Sequence, residues 1–256
     1  MTRWKITVEY EGSGFCGWQR QKHDITVQHV IETAVQKFSG EMVTLHVAGR
    51  TDAGVHAYAN VAHFDLAKET TAATVRDAIN FYVRPRKVVV LQAEEVPEAF
   101  HARFSALARS YRYRIIARRA PSALLAEQAW HVPKPLDVVC MQKAARRLIG
   151  QHDFSTFRAQ HCQANSPIKT LDVLDIAHDG EMIEFSVRAR SFLYHQVRNM
   201  VGTLALVGTG KWSLRDFEAA FAACDRRAGG PTAPPQGLFF WEVTYPQDYQ
   251  QANIQT

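Results

Sequence analysis

One stretch of the chain sets a carboxylate, a guanidinium and two glycines within a few residues: Gly49-Arg50-Thr51-Asp52-Ala53-Gly54-Val55-His56-Ala57. It lies between two strand-like runs, 42–47 and 60–66. Glycine at 49 and 54 permits turns closed to other residues and a close approach to a ligand. Residue chemistry leaves two readings open. Asp52 can bond its own backbone in an Asx-type turn while Arg50 points into water. Alternatively, both side chains face one pocket and Asp52 reacts there.

The other candidates are weaker. Asp153 in His152-Asp153-Phe154-Ser155 is the second carboxylate to consider. No Gly-x-Ser-x-Gly elbow marks a serine nucleophile. His56 and His63 lack metal-ligand spacing and read as structural, so no metal site is expected. Gly12, Gly14 and Gly17 suggest a tight loop able to cradle phosphate, but the Gly-Lys-Ser/Thr ending of a nucleotide P-loop is missing. Arg198 sits in His195-Gln-Val-Arg-Asn-Met-Val-Gly, on an otherwise apolar helix. It either reaches the surface along its aliphatic stem or pairs with a carboxylate across a cleft, for which Asp52 is the candidate.

Positive charge is concentrated. The net charge of +5 is mild, yet residues 99–126 contain no acid while Arg103, Arg109, Arg112, Arg114, Arg118 and Arg119 all fall there. Tyr111 and Tyr113 interleave with these arginines. On a strand that alternation places guanidinium groups on one face and rings on the other. Phosphate binding and a charged, aggregation-resistant edge strand are both consistent with it.

The elements that position these residues follow from periodicity. Residues 3–10 alternate as a strand. Thr26 caps a helix with Val27, Val30, Ile31, Ala34, Val35 and Phe38 on one face, stopped by Gly40. Strands 42–47 and 60–66 follow. A short helix is expected to start at a Thr74/Asp77 capping box and run to Tyr82, and 87–92 completes the half as a strand. This strand–helix–strand–strand–helix–strand order is the ferredoxin-like arrangement. It recurs with longer loops: a strand at 109–117, a helix capped by Asp137, strands at 168–176 and 182–190 joined at Asp179-Gly180, a helix at 194–207, a helix capped by Ser213 and Asp216, and a strand at 238–245. The expected fold is therefore α+β. Two ferredoxin-like (βαββαβ) halves, 1–104 and 105–246, join into one largely antiparallel sheet with helices on one face. The opposite face of the sheet, or the cleft between the halves, would then be free to bind, and 247–256 is expected to be a loose tail.

A composition 46% apolar and 21% charged is that of a soluble globular protein. Four scattered cysteines, at 16, 140, 162 and 224, argue against a disulfide framework and fit a reducing compartment. The N-terminal residues read as strand rather than as a targeting segment, and the apolar stretch 199–207 is too short to span a bilayer. A cytoplasmic location is expected.

The Gly49–Ala57 stretch resembles the signature of the TruA-type tRNA pseudouridine synthases. Further blocks carry the resemblance along most of the chain: Tyr10–Gln21, Phe100–Ala106, Ala108–Tyr113, Asp153–Arg158, His195–Asn199 and Pro231–Leu238. The 80–87 stretch is looser than the family's usual Leu-Pro-containing one. The resemblance implies a two-lobed homodimer without cofactor or metal, with an RNA-binding cleft between the halves, that isomerises uridine to pseudouridine at positions 38, 39 and 40 in the anticodon arm of tRNA. Asp52 matches the family's catalytic carboxylate. Arg50 is expected to hold the target nucleotide out of the stem, and Arg198 to pair with Asp52. Tyr111 corresponds to the family's active-site tyrosine, able to stack on uracil or take the C5 proton. Leu238 matches a pocket-lining residue, though a core role fits it as well. Arg20, Lys22 and the arginines around Tyr111 would bind phosphates. Whether Asp52 adds to the sugar, adds to the base or abstracts a sugar proton stays open.

Overall fold

A computed structural model describes residues 1–249. In chain order the strands are β1 (Thr2–Tyr10), β2 (His46–Val47), β3 (His56–Leu66), β4 (Val88–Val96), β5 (Ala108–Ala117), β6 (Trp130–Val132), β7 (Gly150–Asp153), β8 (Ile168–Asp179), β9 (Met182–Ala189) and β10 (Leu238–Thr244). The helices are α1 (Val27–Ser39), α2 (Ala72–Tyr82), α3 (Val138–Ala145), α4 (Gln196–Gly208) and α5 (Leu214–Ala222). The fold is α+β with mostly antiparallel pairing, in two compact units: residues 1–109 with 239–249, and residues 110–238. Residues 239–244 of β10 cluster with the first unit.

In the first unit, β1 runs antiparallel between β3 and β4, and β2 pairs with β3. That is the ferredoxin-like order. β10 adds a parallel contact at the start of β3, Phe239 against His56 and Phe240 against Ala57. Thr26 caps α1 by accepting from the His29 N–H, and Gly40 ends it in the left-handed conformation, as the pattern requires. Helix α1 buries Ile31, Ala34 and Val35, and α2 buries Val75 and Ile79. Both faces of β3 are covered, because Val61 on its other face packs with Phe100, Ala102, Ala106 and Tyr245.

Two local expectations fail for identifiable reasons. Only His46–Val47 of the 42–47 run forms strand. The Leu45 N–H donates instead to the buried Glu32 carboxylate (3.0 Å), while Glu41 accepts from the N–H groups of Ala67 and Lys68. Helix α2 starts a turn early because the Thr71 hydroxyl, not Thr74, caps it; Asp77 turns to Arg76. The expected loose tail is not loose over its first three residues. Gln247–Tyr249 form a 3-10 turn, and Tyr249 packs edge-on against Phe100. The rest of the expected tail lies outside the described residues.

In the second unit the neighbours run β5-β9-β8-β7, with β6 beside β5. β8 and β9 form a hairpin turning at Asp179-Gly180, where Gly180 has φ +56°. β6 and β7 were not anticipated; each has four residues or fewer, too few for a periodicity to show. Asp137 caps α3, and Ser213 with Asp216 makes the full capping box of α5. Helix α4 is buried over most of its surface. No helix among the described residues is long and apolar enough to cross a membrane.

Candidate functional site

The Gly49–Val55 loop of the first unit is built on backbone contacts with the loop that follows β1. The Trp18 N–H donates to the Thr51 carbonyl (3.0 Å), and the Gly54 N–H donates to the Phe15 carbonyl (3.4 Å). Gly17 holds φ +82°, and a Cβ there would lie 2.6 Å from the Thr51 carbonyl oxygen. A Cβ on Gly12 would lie 2.1 Å from the Val55 carbonyl oxygen. The glycines of 12–17 therefore allow one main chain to lie directly on another. The loop after β1 is anchored in turn on α1, since the N–H groups of Val27 and Gln28 donate to the carbonyls of Gly17 and Trp18.

Side chains complete the support from the other sides. The buried Asn60 amide donates to the Gly49 carbonyl (2.9 Å) and to the Tyr10 hydroxyl (3.3 Å). That hydroxyl bonds the Thr51 hydroxyl at 2.8 Å. Arg109, 8% exposed, donates from Nε and Nη2 to the Ala48 carbonyl (3.2 and 3.1 Å) and caps the carbonyls of Ala106 and Arg103. An arginine placed in the basic stretch by sequence is thus a strut under the loop. His56 accepts from the Gly12 N–H (2.9 Å) and stacks on Phe239. On this support Asp52 is half-buried and Arg50 is exposed.

The remaining sequence candidates lie in the second unit. Tyr111 on β5 is half-buried, with its ring edge-on to Phe192 at 5.1 Å. Strand alternation is as expected: Tyr113 is buried, while Arg112 and Arg114 both reach Glu184 on β9 at 2.9 Å. Arg118 pairs with Glu181. The acidic partners are 63 to 72 positions away, which is why a local reading saw only positive charge. Arg20, in the first unit, likewise contacts Glu32 (3.2 Å). Arg198 is half-buried and does not stand as a lone surface cation. Its Nε donates to the Ala233 carbonyl (2.8 Å), and the Ala233 N–H returns a bond to the Arg198 carbonyl (3.1 Å). The Tyr113 hydroxyl donates to the Pro234 carbonyl (2.8 Å). Burial raises the pKa of Tyr113, and the Arg198 charge partly offsets this. Leu238 is buried at the start of β10. Asp153 accepts from the Ser155 N–H (2.7 Å) in a local turn.

His63 is structural in a way that predicts acid sensitivity. Its Nδ1 accepts from the Ala102 N–H, and its ring meets those of His46 and His101 at 5.0 and 4.7 Å. Burial first, then His101, His46 and Arg3, hold its pKa down to about 4, against 6.5 for a free histidine. Asp65 opposes the shift weakly. A depressed folded pKa contributes stability that is present above 6.5 and lost as pH falls toward 4, because the unfolded chain binds the proton first. Urea midpoints should fall across that window, and the fall should be shallower in His63→Gln. Among the described residues no group of three or more His, Cys, Asp or Glu is arranged to hold a metal.

The family described as tRNA pseudouridine synthase matches residues 6–105 and 144–246. Asp52, Arg50, Arg198 and Leu238 fall inside the matched segments; Tyr111 falls between them. A protein of Paramagnetospirillum magneticum named tRNA pseudouridine synthase A is 57% identical over 245 residues, covering 96% of each chain. Proteins of the same name from Rhodospirillum centenum and Beijerinckia indica are 56% and 54% identical. They cover 96% and 100% of this chain, and 100% and 98% of their own lengths.

Proposed function

From the premise that this chain belongs to the tRNA pseudouridine synthase family, and so isomerises uridine in tRNA, we propose that it acts at positions 38, 39 and 40 of the anticodon arm, with Asp52 as the reacting carboxylate. The observation that carries the assignment of Asp52 is the support under its loop; the positions follow from the family resemblance. Backbone bonds from one side and the Asn60, Tyr10 and Arg109 side chains from the others hold a half-buried carboxylate and an exposed guanidinium on one short turn.

The reaction breaks the N1–C1′ bond of uridine, turns the uracil and joins C5 to C1′; the C5 proton leaves and N1 regains one. The departing uracil is a delocalised anion, so one carboxylate suffices where ordinary glycoside hydrolysis uses two. Asp52 acts in its ionised form, as nucleophile or as base. Arg50 holds the extruded nucleotide, offsetting an unstacking cost of about a few kcal/mol. Tyr111 stacks on the uracil or takes the C5 proton, Arg198 supplies positive charge to the substrate, and Leu238 lines the base pocket. The chain works without metal or cofactor, as a cytoplasmic homodimer.

Mapping pseudouridine in tRNA transcripts that carry uridine at 38, 39 and 40, and elsewhere, tests the assignment. Conversion confined to those three positions is expected. Conversion only outside the anticodon arm would overturn it.

A further inference from the structure

A continuous polar chain runs beneath the loop. The Asn60 amide nitrogen can only donate. Its two protons serve the Gly49 carbonyl and the Tyr10 oxygen, while its own oxygen accepts from the Val61 N–H. The Tyr10 oxygen accepts from Asn60, and its hydroxyl also shares a hydrogen bond with the Thr51 hydroxyl at 2.8 Å, in which either oxygen can donate. All three residues are buried: Asn60 at 0%, Tyr10 at 3% and Thr51 at 8% exposure. Burial pushes the Tyr10 hydroxyl up to about 12, so it keeps its proton at neutral pH. The ring is held independently, tilted against Trp18 at 6.0 Å and edge-on to Phe15 at 6.5 Å. Thr51 immediately precedes Asp52, and Gly49 lies three residues before Asp52.

We propose that Tyr10, Asn60 and Thr51 form a positioning relay that fixes the direction of the Asp52 carboxylate without touching substrate. This rests on the reading of Asp52 as the reacting group. The relay holds both a carbonyl and a side chain of the loop, so cutting it frees the turn to rotate about its backbone anchors. A misplacement of about 1 Å in a reacting group costs on the order of 100-fold in rate.

The test uses single-turnover rates on tRNA beside tRNA affinity. Tyr10→Phe removes one oxygen and keeps the ring; Thr51→Val removes the other hydroxyl at nearly equal volume. Each is expected to slow turnover by about 10- to 100-fold, with affinity within about threefold. Thr51→Ser, which keeps the hydroxyl, should stay near wild type. Tyr10→Phe with Thr51→Val should be no slower than the worse single variant, because both cut one relay. Unchanged rates in the single variants, multiplying losses in the double, or a parallel loss of affinity would each overturn the relay. Asp52→Ala separates the two levels. Turnover retained in Asp52→Ala would remove the reading on which the relay rests. An inactive Asp52→Ala beside a fully active Tyr10→Phe would remove the relay alone.

Discussion

Asp52→Asn should bind tRNA within a few-fold of wild type and turn it over at least about 10⁴-fold more slowly, a loss of at least about 5.5 kcal/mol in transition-state stabilisation. The amide matches the carboxylate in shape but cannot act as nucleophile or base at neutral pH. The described supports of the loop run to the carbonyls of Ala48, Gly49 and Thr51, the Thr51 hydroxyl and the Gly54 N–H, none of them on the Asp52 side chain, so the replacement leaves them in place. Binding draws on many phosphate contacts and is not expected to follow one carboxylate. Single-turnover conversion and filter-binding affinity, measured on one preparation, separate the two quantities. A comparable fall in both would move Asp52 from chemistry to recognition.

Gly12→Ala should have the next largest effect, although residue 12 bears no reactive group. The added Cβ would sit 2.1 Å from the Val55 carbonyl oxygen and 2.5 Å from its carbon. Both are main-chain atoms, so the contact cannot be relieved by a rotamer change. Either the 12–17 loop lifts off or the 52–55 turn moves, and in both cases Asp52 loses its place. Turnover is expected to fall by about 100-fold or more. The midpoint of thermal unfolding should fall by roughly 2–12 °C, from overpacking of about 1–3 kcal/mol. Gly14→Ala is the control: a Cβ there meets nothing within 4 Å, so rate and midpoint should both hold. Equal effects at 12 and 14 would mean that loop flexibility, not close backbone approach, is what the glycines provide.

These two variants also mark how far the sequence could be read. Features settled within a few residues were legible: the Thr26 cap and Gly40 stop of α1, the Ser213/Asp216 capping box, the Asp179-Gly180 turn, and the Arg/Tyr alternation of β5. Features settled by distant partners were not. Glu32 and Glu41 take up the backbone donors of Leu45, Ala67 and Lys68, and the expected strand at 42–47 shrinks to two residues. Glu184 pairs with two arginines that read as free cations in the local sequence. The glycines and the Arg50/Asp52 pair drew attention to the candidate loop. Its supports did not, because Tyr10, Asn60 and Arg109 meet it only after folding, from β1, β3 and β5. A tyrosine at the end of an alternating strand and an asparagine inside another carry no local sign of a polar relay.

The most direct test is release of tritium from tRNA whose uracil is labelled at C5, with wild type beside Asp52→Ala. Joining C5 to C1′ must expel the C5 hydrogen, so release counts turnovers. Release by wild type and none by Asp52→Ala, with tRNA still bound, is the expected result. Release by both proteins at similar rates would contradict the assignment of Asp52 as the reacting carboxylate.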